Sequence, residues 1–516
     1  MKQFGDIYPE QTQGELTMFD RMLFKGYLSG VYPLHRFEQI LYHHGVLLKE
    51  FKEFGQQSTD ALKGHLTKLA EAEQRPIVYL PTGQGVKGES KEELARQQAE
   101  TDQIKSGLIV IYSTLELKSS LSVRGERASG HIRLVSELRK QLHYYLYYQD
   151  EEFGLMHVRI QSWWPFTIHI YINGREWLAR QLDKAGIGYL KVENCFWQID
   201  DLPQAQKLAD KFAHRQWERV WEAFAKKVNP LWPTVQAWTG QGYYWTIEQA
   251  EIATDVMFDQ PETLAELLPA LFQETLLTCS AEDVMRFLGR RLHANFQGKV
   301  ETRLNKRQPG WRVKHWVKQN SIKMYNKGPV LRVETTINKA DEFKIPTPPG
   351  HSSRWKRLPK GVAYGWHFYN VGREANHRYL QALRPISYQG KAATETLDSL
   401  CQSQPLSPTH RVAKFQPVTE ATCQLFAAVL NGQHALTGFR NHHLRTALFG
   451  TETSDPQTEH RLRARVSRLL LKLRGHGLIQ KVDQAHLYRV TAHGYRAMAA
   501  ALRYRHIDFP TNFALA

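Results

Sequence analysis

Between residues 311 and 337 polar and apolar side chains alternate with a period of two, in three runs, 311–318, 319–326 and 329–337. Short polar turns, Gln319-Asn320 and Asn326-Lys327-Gly328, divide them. Such alternation places every second side chain on the same face of a pleated strand, and turns this short join antiparallel neighbours. The segment therefore predicts a three-stranded meander, and the rest of the chain must fold around a sheet with one apolar and one polar face. Ile322 and Met324 align with Leu331 and Val333 on the first face; Lys323 and Tyr325 align with Arg332 and Glu334 on the second.

Charge is segregated in the same region. Residues 286–334 hold thirteen Lys/Arg against two acids, Glu301 and Glu334, a net of +11 within a chain of net charge +17. The forty residues before them, 246–285, contain nine Asp/Glu and no Lys or Arg. A positive field concentrated on one strip attracts phosphate backbones through charge neutralisation and counterion release. The alternative is a solvated basic face. Phe296, Trp311, Trp316 and Tyr325 lie among the charges, and a second basic element lies downstream, which favours nucleic acid as the partner. Arg290, Arg291, Lys306, Arg307, Arg312, Lys314, Lys323 and Arg332 are the residues expected to bind it in the strip.

Length and composition point to several domains with well-packed cores. No stretch approaches the roughly 20 apolar residues of a membrane span. The start of the chain lacks the apolar core of a signal peptide. Cys195, Cys279, Cys401 and Cys423 form no Cys-x-x-Cys pair, which argues against a zinc ribbon and a disulfide framework. A cytoplasmic protein without a membrane partner is expected.

The fold class expected is α+β and multidomain. Mixed three- and four-residue apolar spacings predict helix over 15–72. The loop 81–90 contains glycines but no Gly-x4-Gly-Lys-Ser/Thr frame, so no nucleotide or organic cofactor is indicated. A strand at 107–117, a helix at 131–148, strands at 155–161 and 166–173, and helices at 175–184 and 203–228 form an α+β layer pattern. Residues 244–290 read as acidic helix, and the meander follows. Residues 340–362 read as loop and 398–417 as linker. The expected units are 1–75, 76–228, 229–397 and 418–516.

In the last hundred residues, helices at 420–430, 441–449 and 459–475, a hairpin at 478–482 and 486–490, and a closing helix follow one another. This order, with Arg474-Gly-His-Gly-Leu-Ile-Gln-Lys481 between third helix and hairpin, resembles a winged-helix domain. In that family the third helix enters the DNA major groove. Here it carries Arg461, Arg463, Arg465, Arg468, Lys472 and Arg474, so the resemblance implies that these residues bind DNA. Some winged helices bind protein or RNA instead.

Chemistry has two candidate locations. On the polar face of the meander, Arg and Lys would hold phosphate, Glu334 would bind a divalent metal, and Tyr325 would act as nucleophile or stacking platform, with Lys327 nearby. The string Ile322-Lys-Met-Tyr-Asn-Lys-Gly…Leu-Arg-Val-Glu334 resembles a segment of rolling-circle replication initiators of plasmids and filamentous phages. Those proteins nick DNA with a metal-assisted tyrosine that becomes joined to the 5′ phosphate. The resemblance implies Tyr325 as nucleophile and Glu334 as ligand for Mg²⁺ or Mn²⁺. It spans about fifteen residues, and the His-hydrophobic-His metal motif of that family does not precede it. The plainer reading is an Arg–Glu cross-strand pair on a basic sheet.

The second location is the α+β layer, where Glu116, His157 and His169 would form a two-His-one-carboxylate metal site if their strands were adjacent. The aromatics Tyr144, Tyr145, Tyr147, Tyr148, Trp163 and Trp164 would stack on bases or fill a core. The chain is thus expected to couple DNA recognition to strand nicking, as in a replication initiator or mobile-element protein. The alternative is a non-catalytic DNA-bound regulator or a structured-RNA-binding protein.

Overall fold

In a computed structural model of the chain, the residues described are 11–81, 90–125, 130–277, 279–290, 296–307, 310–347, 354–383, 397–407, 410–431, 434, 438–450, 455–482 and 486–510. Strand β1 (Thr12–Leu28) leads to helices α1 (Leu34–His43) and α2 (Phe51–Ala72), then to the short strand β2 (Ile77–Tyr79) and helix α3 (Lys91–Thr101). A meander of β3 (Gly107–Gly125), β4 (Ile132–Asp150), β5 (Gly154–Gln161) and β6 (Ile168–Asn173) follows. Helix α4 (Gly174–Ala185), the hairpin β7 (Tyr189–Val192) and β8 (Cys195–Ile199), and helices α5 (Leu202–Ala213), α6 (Trp217–Val228) and α7 (Trp232–Thr239) complete the first half.

The second half repeats the plan. Strand β9 (Tyr243–Phe258) leads to helices α8 (Pro261–Leu277) and α9 (Ala281–Phe287). A second meander, β10 (Val300–Arg307), β11 (Gly310–Val317), β12 (Asn320–Lys327) and β13 (Val330–Ile337), follows, and then helix α10 (Gly365–Leu383). One eleven-stranded sheet takes them all, in the order β10-β11-β12-β13-β9-β1-β6-β5-β4-β3-β2. Strands β1 and β9 pair antiparallel at its centre, and each is flanked by the last strand of the meander that follows it in the chain. The protein is α+β. The units expected at 1–75, 76–228 and 229–397 share this sheet and one continuous apolar core from Leu16 to Leu383.

The two faces of the sheet differ. Ile252, Thr254, Val333 and Met324 are buried on a helix-covered face. There α10 comes close because residue 372 is glycine: a Cβ at that position would lie 2.6 Å from Ile252. On α10, Asn376 donates to the Ile252 carbonyl at 2.9 Å and accepts from the Thr335 hydroxyl at 2.7 Å. The opposite face carries Lys314, Lys323, Tyr325, Glu251, Lys25, His169, Tyr171, His157 and Arg159, each only partly buried. It is covered at one end by α3, where Lys91 sits 3.9 Å from the centre of the Tyr145 ring. The β7–β8 hairpin covers part of its middle, with Trp197 against Gly328.

Three stretches expected to be helical are strands. In β1 a bulge between Phe19 and Arg21 shifts the alternation by one residue, which produces the mixed spacing of a helix. In β4, Leu134, Leu138, Leu142 and Leu146 recur every four residues, a spacing that fits one helix face and also one strand face. In β9, Glu248, Glu251 and Asp255 mimic a helical acidic stripe; as a strand it places Glu251 and Asp255 on one face.

Downstream, helices Glu420–Val429, Asn441–Phe449 and Pro456–Gly475, strands Ile479–Lys481 and Tyr488–Val490, and helix Ala492–Arg503 surround a separate core. Phe426, Leu444, Val466, Leu473 and Met498 lie in it. The expected linker carries a small hairpin, Gln404–Ser407 with His410–Val412. No described helix is long and apolar enough to cross a membrane.

Candidate active site

The meander register is Lys323 opposite Glu334 and Tyr325 opposite Arg332, so these four side chains share the partly open face. Pairing of β13 with β9 and of β9 with β1 then adds three carboxylates that the meander alone does not supply. Asp255 stands opposite Arg332, Glu251 opposite Arg21, and Asp20 sits in the β1 bulge.

The site has a buried ionic base. Arg332 donates from Nε to Asp255 at 2.7 Å and from Nη2 to the same carboxylate at 3.0 Å and to the Asn194 carbonyl at 3.1 Å. Arg175, at the start of α4, donates to Asp20 at 2.7 Å and to Asp255 at 2.8 Å. Asn194 adds a bond to Asp20 at 2.7 Å. Two guanidinium groups thus neutralise two carboxylates where none of the four residues is more than 4 % exposed. Burial alone raises a carboxyl pKa, yet Arg175, Arg332 and Arg21 together hold Asp20 below the usual carboxylate range.

Above this base the Tyr325 hydroxyl donates to Glu334 at 2.8 Å. The Lys323 amine lies against the other Glu334 oxygen and 4.0 Å from Glu251. Asp20, Glu251 and Glu334 each present a carboxylate oxygen, all within 4.8 Å of one another, the one such set of three potential metal ligands among the described residues. Burial and the Glu334 charge push the Glu251 carboxyl up to about 8, Lys323 only partly offsetting them. Like charges this close favour taking up a proton, and a hard divalent cation would replace that proton with a better counter-charge. The all-oxygen donor set suits Mg²⁺ or Mn²⁺. Burial and the Glu334 charge also push the Tyr325 hydroxyl well above the tyrosine range, with Arg332 opposing, so at neutral pH it carries its proton.

Other expected residues fall elsewhere. Arg332, expected to hold phosphate, is 1 % exposed and bonded to Asp255 and Asn194; it anchors the site from beneath. Lys327 is paired with Glu193 at 3.2 Å, away from Glu334. Glu116, His157 and His169 do not form a common metal site. Glu116 is opposite Gln141 and His157 opposite Tyr147 on the strand between them, six residues apart along β4. Glu116 instead pairs with Arg159 at 3.3 Å and accepts from Tyr145.

In the basic strip, Arg290 pairs with Glu342, Lys306 is exposed, and Arg312, Lys314 and Lys323 line the open face. Lys314 lies 4.6 Å from the Trp316 ring centre. Arg291 and the Arg307 side chain lie outside the described residues. Arg461, Arg463, Arg465 and Arg468 are exposed along their helix, while Lys472 packs 4.0 Å from the Phe415 ring centre. Of the aromatic cluster, Tyr144, Tyr147, Tyr148 and Trp164 are buried in the core.

Asp20, Glu251, Asp255 and Arg175 are the residues that sequence reasoning missed. For Asp20 and Asp255 the available signal was an acid inside a largely apolar run, at Leu16–Phe24 and again at Ile252–Phe258.

No family model matches the chain, and comparison with curated proteins and with solved structures also gives no match.

Proposed function

We propose that this protein recognises DNA and nicks one strand by metal-assisted transfer of a phosphate to Tyr325. The observation that carries the reading is the assembly of Tyr325, Glu334 and Lys323 with Asp20 and Glu251 from strands far apart in sequence. Their face continues into Lys314, Arg312 and Trp316. Asp20, Glu251 and Glu334 would hold the divalent ion, which would supply positive charge to the phosphate and lower the cost of ionising a nearby hydroxyl.

The chain's own groups have distinct tasks. Glu334 accepts the Tyr325 proton along the existing hydrogen bond as Oη bonds to phosphorus. The bond from phosphorus to the 3′ oxygen breaks, leaving the 5′ phosphate on Tyr325, and the leaving oxygen takes a proton from Lys323 or water. Arg332 and Arg175 hold Asp20 and Asp255 in place from below. The exposed arginines of helix Pro456–Gly475 support the further reading of residues 418–516 as a winged-helix DNA-binding domain.

Incubation of the protein with supercoiled plasmid and Mg²⁺ or Mn²⁺ tests the reaction. Expected are nicked circles and DNA covalently attached to the wild-type chain, both absent for Tyr325→Phe. A second reading, non-catalytic nucleic-acid binding, draws on the closed bonding of Tyr325 and Lys323 to Glu334. Wild type that binds but never nicks in either metal would establish it.

A further inference from the structure

Beyond the central Arg21–Glu251 pair, corresponding rows of the two halves of the sheet can be matched across their outer strands. Four residues beyond each, Lys25 stands opposite His169, which stands opposite Arg159; Asp255 stands opposite Arg332, which stands opposite Tyr325. Two residues beyond each, the rows are Leu23, Tyr171, His157 and Ala253, Glu334, Lys323. The N-terminal half therefore holds a counterpart of the candidate active site, with Arg159 for Tyr325, Tyr171 for Glu334 and Lys25 for Asp255.

The replacements reverse the chemistry: acceptors become donors and the hydroxyl at the nucleophile position is gone. The counterpart also has an unmet bonding capacity. His157 Nδ1, His169 Nδ1, Tyr171 Oη and Arg159 Nε are all shielded from solvent and have no hydrogen-bond partner among the described residues. Unpaired buried polar atoms are costly, and four on a two-by-two patch of adjacent strands mark a place where a ligand supplies acceptors. His157 is fixed by stacking on Tyr171 at 5.2 Å between ring centres. The acids nearby are accounted for in part, since Glu116 is already ion-paired with Arg159.

We infer that His157, Arg159, His169, Tyr171 and Lys25 form a second, non-catalytic site that holds a phosphodiester of the bound nucleic acid. Its ligand is an anion with several acceptor oxygens, and Lys25 at the rim complements that charge, beside an Arg159 shared with Glu116. Burial and the Arg159 charge keep His157 and His169 neutral, so each has one N–H to donate. The site rests on the nucleic-acid reading above and extends it: one half of the sheet cuts while the other grips.

The test uses the full chain and a fluorescent oligonucleotide, with anisotropy measured at about 50 and 200 mM salt. His157→Gln/His169→Gln should weaken binding about tenfold while nearly keeping the salt slope, because both imidazoles are neutral. Lys25→Gln, on the rim, should weaken binding to a smaller extent and flatten the salt slope by about one unit, and it guards against a folding defect in the double variant. Wild-type affinity and slope in both variants, with melting temperatures retained, would overturn the inference. So would a site for free phosphate: inorganic phosphate stabilising wild type but not the variants, with oligonucleotide binding unchanged. Loss of binding in the variants with no nicking by wild type would sink the catalytic proposal and leave this site standing.

Discussion

Asp255→Asn removes one negative charge from beneath the candidate active site and changes almost nothing in volume. In the wild type, Asp20 and Asp255 balance Arg175 and Arg332 at positions no more than 4 % exposed. The substitution leaves two guanidinium groups facing one carboxylate in a dry environment, and it replaces acceptors of the bonds at 2.7, 2.8 and 3.0 Å with an amide that can satisfy them only in part. Removing one partner of a buried ion pair costs about 3–5 kcal/mol, against a typical total of roughly 5–15 kcal/mol. The variant is therefore expected to be folded but fragile, or unfolded at ambient temperature. Urea denaturation followed by tryptophan fluorescence measures this cleanly, because all thirteen tryptophans lie at or before Trp366 and report only on the sheet-bearing part. Adding Arg332→Met to the variant restores the balance of one Asp with one Arg, so the double variant should be more stable than the two single losses added together. A loss below about 1 kcal/mol for Asp255→Asn, or strict additivity in the double variant, would refute the account of a charge-balanced base.

Three other outcomes are expected. The Glu251 carboxyl is pushed up, so the stability it contributes is complete below its unfolded value near 4.5 and is lost as pH rises through about 8. Melting temperature should fall over that window, and Glu251→Gln or saturating Mn²⁺ should flatten the descent; an unchanged profile with both would show that Glu251 does not carry it. Arg303→Ala and Lys314→Ala, on the open face of the second meander, should each lower the salt dependence of DNA binding by about one unit in a titration over salt concentration. Arg461→Ala with Arg465→Ala should weaken duplex binding at least tenfold in a mobility-shift assay, whereas equal affinity would remove that helix from the interface.

How far the sequence foretold this arrangement depends on the range of the interactions. Strands β11, β12 and β13 lie within one or two residues of where alternation puts them, with turns at 318–319 and 328–329, whereas β10, a fourth strand of the meander, was not expected. The shared face of Lys323, Tyr325, Arg332 and Glu334 follows from parity alone. Local pattern could not show that Arg332 would be buried, because that depends on Asp255 and Asn194 from other elements. Asp20 and Glu251 were hidden for a different reason. Each belongs to a long strand whose pattern imitates a helix, through a bulge in β1 and through acid spacing in β9. The pairing that joins those strands spans more than two hundred residues and leaves no local trace.

That central seam also has a consequence in time. As the chain leaves the ribosome, β1 can pair with β6 once residue 173 has emerged, but its other edge must wait for β9, which ends at residue 258. At 5–20 residues per second the delay is roughly 4–17 seconds. Throughout it the long edge of β1 presents unpaired backbone donors and acceptors to any other strand it meets. Nascent chains on neighbouring ribosomes offer the same edge, so the yield of soluble protein should depend on how crowded synthesis is and on whether a chaperone shields residues 12–28 until the second half arrives.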